Sequence, residues 1–122
     1  LVTDSTGCIL DAGRKTRLAS DLQKLVLAIR DETCRHPGCP RPADQCDIDH
    51  AHPWESGGGT DLPNLGPLCG SHHPPKTEGH WTITESHRDG SCTWRSPLGR
   101  IYEHTPPDLI PPPPENHDPP PL

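Results

Sequence analysis

Apolar positions along the chain come in short clusters separated by turn formers, and the period of each cluster predicts its element. Residues 1–18 show no sustained period and read as an extended lead-in, broken by Gly7 and Gly13. At Ser20-Asp21-Leu22-Gln23 the pattern changes: the tetrad fits a helical capping box, and Leu22, Leu25, Val26 and Ile29 share one helical face. A helix over 21–30 is predicted. Pro37-Gly38 then forces a turn inside Cys34-x4-Cys39 that turns both thiols to one side. A short strand over 45–49 follows, leading into Asp49-His50 and a loop with Gly57-Gly58-Gly59. Asn64-Leu65 opens a second short apolar run ending at Cys69, and Cys69-Gly-Ser-His72-His73 starts a helix with Pro74-Pro75 immediately behind.

From Trp81 the pattern is that of a β-meander. Trp81-Thr-Ile-Thr alternates, Asp89-Gly90 is a hairpin signal, 92–95 returns, and 97–99 turns into 100–103. Beyond that the chain is polyproline-like: nine of its 18 prolines lie in residues 106–122, a segment without Lys or Arg that reads as a disordered tail. The organisation expected is a lead-in and helix over 1–30, a domain with the meander over 31–105, and a tail over 106–122.

Composition explains what must hold such a domain together. The 122 residues include no Phe or Met, three Trp and one Tyr, so the apolar core is thin and calls for staples. Six Cys and nine His offer them. No apolar run suits a signal peptide or a membrane span, which points to a cytoplasmic protein whose paired Cys bind metal, with no membrane partner. The first residue is not Met, which suggests a fragment or an alternative start codon; if it is a fragment, an N-terminal domain of the same longer protein is a candidate partner.

Cys34 and Cys39, with Cys69 and His72 thirty residues later, form two close pairs, the arrangement a tetrahedral structural Zn2+ requires. Cys46 is a rival fourth ligand, ranked below His72, while Cys8 and Cys92 have no partner at ligand spacing. A second pattern combines Asp49-His50, Asn64 and His73. With Cys34-Arg-x-Pro-Gly-Cys39, Pro53-Trp54, Gly57-Gly58, Leu68-Cys69-x-x-His72-His73-x-x-Lys76, Gly79-x-Trp81 and Trp94-x-Ser-Pro-x-Gly-Arg100, it resembles the HNH endonucleases of the ββα-metal fold. In particular it is similar to the C-terminal nuclease domain of the 13E12-repeat type.

The resemblance implies an α+β, zinc-stapled ββα-metal domain with an N-terminal helix and a C-terminal β-meander. It implies a hydrolase that cuts phosphodiester bonds in nucleic acid, double-stranded DNA above all. His50 would be the general base, suited by an imidazole pKa near neutrality. Asp49 and His73 would hold a catalytic divalent ion, Mg2+ or Mn2+. Asn64 would brace the loop between the strands and orient His50, and Lys76, Arg35 and Arg41 would meet phosphate. His52, His80, His87, His104 and His117 fall outside the motif and are expected to be exposed.

Three departures temper that picture. Pro74-Pro75 is expected in the second turn of the metal-binding helix, displacing His73 and weakening activity. Gly70-Ser71 and Gly66-Pro67 stand where basic and apolar residues are typical, which is expected to weaken the phosphate grip and the second strand. The net charge is −6, although seven of the eleven bases lie between Arg14 and Arg41. The alternative is therefore a catalytically impaired, zinc-stapled nucleic-acid-binding module with the same fold.

Overall fold

The computed structural model describes residues 10–107. Cys8, His117 and the proline-rich tail from residue 108 onward lie outside the described residues. The first helix, α1 (Asp21–Asp31), begins as the capping box requires: the Ser20 side chain accepts from the Gln23 amide and the Gln23 side chain accepts from the Ser20 amide. Its inward face is not the one on which the leucines recur. Gln23, Leu27 and Asp31, spaced by four, are buried, whereas Leu22, Leu25 and Ile29 are exposed. Polar residues can face inward here because each is satisfied. Gln23 Nε2 donates to the carbonyls of Leu10 and Thr60, and Asp31 accepts a bidentate pair from Arg30 Nε and Nη2. Arg30 also donates to the carbonyls of Leu62 and Leu65, tying α1 to the next sheet.

That sheet is an antiparallel pair, β1 (Asp47–His50) and β2 (Leu65–Leu68), with Asp49 opposite Gly66 and His50 opposite Leu65. Leu27 of α1 packs on Leu62 and Leu65, with Leu10, Val26 and Ile48 around them. Expectation and structure differ over Gly66-Pro67. Gly66 does not weaken the strand but makes room: the buried Arg35 side chain crosses directly over it, and any Cβ at 66 would collide with Arg35 Nε. Pro67 accepts from the Arg35 amide at 2.9 Å, and all four residues of β2 are buried.

Helix α2 (His73–Thr77) is short, and its prolines occupy the first turn, where amides have no intrahelical partner. This corrects the second-turn expectation. His73 is the first residue of the helix. The chain then forms the meander as β3 (Thr82–Ser86), β4 (Cys92–Arg95) and β5 (Ile101–His104), all antiparallel in the order β3-β4-β5, with a register irregularity at Ile83/Glu85. The fully buried Trp94 centres a second core with Cys34, Ala51, Leu68, Cys69, Ile83 and Cys92, so the meander covers the cysteine knuckle. No helix among the described residues is long and apolar enough to cross a membrane.

Candidate functional site

The knuckle brings its four donors together. Cys34 Sγ, Cys39 Sγ, Cys69 Sγ and His72 Nδ1 lie within 4.8 Å of one another, with edges of 3.9 Å (Cys39–Cys69), 3.7 Å (Cys34–His72) and 3.3 Å (Cys69–His72). A tetrahedral ion with metal–sulfur bonds of about 2.3 Å would separate its sulfurs by about 3.8 Å, so the donor set fits such an ion. Burial pushes the Cys34 thiol up to about 12, a cost that a bound cation would remove. Burial also raises Cys69, but the Ser71 and His72 amides and the neighbouring thiols outweigh it and leave that thiol below its ordinary value. Cys46 precedes β1 and is not one of the convergent donors; its thiol donates to the Pro42 carbonyl. His36, which no motif position singled out, stacks flat on His72 with ring centroids 3.9 Å apart and meets Trp81 edge-on at 4.5 Å, fixing the ligand ring.

A second cluster lies where β1 ends. His50 is the last residue of that strand, which lets neighbouring side chains serve one place despite strand alternation. Asp49 is 6% exposed, with His73 Nε2 3.5 Å from Oδ1 and Lys76 Nζ 3.1 Å from Oδ2. Two ligands of one small divalent ion stand about 3.0–3.4 Å apart, so Asp49 and His73 fit as such a pair. The Asp49 hydrogen bond raises the His73 pKa, and Asp47 approaches the other ring nitrogen at 3.4 Å. Burial is the main cause lowering the His50 pKa, with Asp49 pulling the other way, so the imidazole is neutral at neutral pH.

Hydrogen bonding also selects the His50 tautomer. Thr60 Oγ donates its single proton to a backbone carbonyl, that of Thr16 or Arg17, so toward His50 Nε2 at 3.0 Å it acts as acceptor. The His50 proton therefore resides on Nε2, and Nδ1 carries the free lone pair. Asn64 acts one step removed: its side chain accepts from the His52 amide and donates to the carbonyls of His52 and Gly59, clamping the loop that returns Thr60 to His50. The expected orienting group for His50 was Asn64; the side chain that touches the imidazole is Thr60.

Two expected phosphate contacts are corrected. Arg35 is fully buried, donating Nη1 to Ser86 Oγ while its carbonyl accepts from Trp94 Nε1. Lys76 is 8% exposed and spends its donors on Asp49 and on the carbonyls of His50 and Ala51, at 2.6 and 3.1 Å. Both are scaffold cations. Arg41 is exposed at the surface beside Gln45. His104 also departs from expectation: it is half-buried, its Nε2 has no partner, and burial lowers its pKa.

Asp49, His50, His73 and Lys76 line one open groove of about 1020 Å³, bounded on its far side by α1 through Lys24, Leu25 and Ala28. Such a groove, holding a neutral imidazole with a free Nδ1 beside a carboxylate–histidine pair, can deprotonate water next to a bound cation. Residues 32–79 match the HNH endonuclease family. The HNH segment thus runs from the knuckle through α2 and contains both clusters. The chain is also similar to uncharacterized proteins of Mycobacterium tuberculosis. Rv2100 is 45% identical over 76 residues, covering 61% of this chain and 13% of the relative. Rv3776 is 43% identical over 84 residues, covering 67% and 16%. The chain therefore spans less than a fifth of the length of either. No solved structure matches.

Proposed function

We propose that the HNH segment is a metal-dependent endonuclease that hydrolyses phosphodiester bonds in nucleic acid, with double-stranded DNA as substrate. The observation that carries the reading is His50: a neutral imidazole at a strand end, its Nε2–H committed to Thr60, its Nδ1 free and Asp49 beside it. Asp49 and His73 would hold the divalent ion, Mg2+ or Mn2+, which supplies Lewis acidity to the scissile phosphate. His50 Nδ1 takes a proton from water, Thr60 keeps the ring oriented, and Lys76 pins the His50 carbonyl so that the base does not drift. Zinc is the ion we assign to Cys34, Cys39, Cys69 and His72, because three thiolates and an imidazole in a closed tetrahedron are its structural donor set. Reduced thiols at that site suit a cytoplasmic protein. The resemblance to the 13E12-repeat type supports a nuclease unit joined to an N-terminal domain in a longer polypeptide.

One observation favours a second reading. The Lys76 ammonium already neutralises Asp49, where the ion would sit, as a binding module without catalysis would allow. Plasmid nicking by the purified chain with Mg2+, Mn2+ or no added ion, with His50→Ala as control, separates the two. Nicking that needs the ion and His50 supports the enzyme, whereas DNA binding without nicking supports the module.

A further inference from the structure

Trp54 is the one tryptophan that belongs to neither hydrophobic cluster; Trp81 and Trp94 both pack in the meander core. It stands in a one-turn 3-10 helix (Trp54–Ser56) in the loop after β1, half-buried, and its ring forms part of the wall of the groove that holds Asp49 and His50. The His50 and Trp54 ring centroids are 6.0 Å apart at 62°. The Arg14 guanidinium lies over the indole, 3.7 Å from its centroid, and is fixed by donating to the carbonyls of Trp54 and Gly58. Arg14 covers one face of the indole and is not among the residues that line the groove, whereas Trp54 is. An indole braced by a cation and outside any core is organised for stacking.

The charge of the groove points the same way. Its cations are Arg17, Lys24 and the already paired Lys76, and they are matched by Asp44, Asp47, Asp49 and Glu55. A near-neutral lining gives little grip on a run of duplex phosphates, which duplex tracking requires. Leu18, Leu25 and Ile48 add apolar surface to the same groove. A single unpaired base can be held by stacking its π-face on an aromatic ring, whatever its sequence.

We propose that Trp54 is a stacking platform for a nucleobase that has left the helix next to the phosphate presented to His50, so that DNA with an unpaired base at the cut is preferred over fully paired duplex. This rests on the nucleic-acid reading above. The test is fluorescence anisotropy with two labelled DNA hairpins, one fully paired and one carrying a single extrahelical thymidine, in buffer without added divalent ion. Wild type is expected to bind the bulged hairpin about tenfold more tightly, Trp54→Ala to lose that preference and Trp54→Phe to keep most of it. Metal content and circular dichroism establish that both variants are folded. Equal affinity of wild type for the two hairpins, or an undiminished preference in Trp54→Ala, overturns the platform while leaving the nuclease reading standing. Binding to neither hairpin overturns both.

Discussion

The cysteine knuckle and the Asp49–His50 cluster lie in one HNH segment and meet at the start of helix α2, yet they are built in opposite ways. In the knuckle, each turn carries two ligands, and the fold only has to bring two turns together. In the groove, each group is held by a residue from elsewhere in the chain: His50 by Thr60, Asp49 by His73 and Lys76, the loop by Asn64. The first arrangement would store stability in a bound metal, and the second spends fold stability on positioning polar groups. A staple is therefore readable from spacing alone. The geometry of the groove is not, because it comes from a network of distant partners.

The contrast is most exposed by removing the metal. Binding of structural zinc is worth about 10–16 kcal/mol in small domains, more than a domain with so thin a core holds in reserve. Chelation or Cys39→Ser should unfold the whole protein, followed by circular dichroism. A sample that keeps its far-ultraviolet signal without metal would show that the two regions are equally self-supporting. The opposite behaviour is expected of the groove. His50→Ala should lower ion-dependent nicking by about 10²–10⁴ with an unchanged melting profile, since the base acts on water.

Lys76→Met falls between these cases, because it strips the Asp49 carboxylate of its buried ammonium. A loss of about 3–5 kcal/mol is expected in urea denaturation, with much of it recovered by the double variant Asp49→Asn/Lys76→Met. No recovery would mean that the backbone carbonyls, not Asp49, are what Lys76 stabilises. Pro74→Ala and Pro75→Ala should matter far less. Both prolines sit in the first turn of α2, so stability should fall by under about 1 kcal/mol, with nicking unaltered. A gain in nicking would restore the displaced-ligand picture.

The smallest effect concerns acid. His104 has a pKa lowered by burial first and by Arg35 and Arg30 second, so the unfolded chain binds the proton more readily than the folded one. Its contribution is intact above the ordinary imidazole value near 6.5 and is lost as pH falls below it. The urea midpoint should drop between pH 7 and 5.5, and His104→Phe should reduce the drop.

Much of the architecture is legible in the sequence alone. The capping box at Ser20-Gln23, the turn in Cys34-x4-Cys39, the Asp89-Gly90 hairpin and the three meander strands all depend on residues within a few positions of one another, where backbone geometry and turn chemistry act locally. Spacing likewise selected the four knuckle donors, because metal ligands at close separation have few other ways to be used.

Burial of polar groups was decided only in three dimensions. Arg35 and Lys76 look like phosphate-binding cations in the chain, but the first is enclosed by Gly66, Ser86 and Trp94 and the second by Asp49 and two carbonyls. Thr60 carries no motif signal, and Leu22, Leu25 and Ile29 recur on a face that α1 does not bury. A charged or polar side chain can enter the interior when partners meet it there, and those partners come from 10 to 51 residues away for His50, Lys76 and Arg35, although Arg35 Nε and Nη2 have none. Local pattern records what a residue prefers; the folded structure supplies the partners that override the preference.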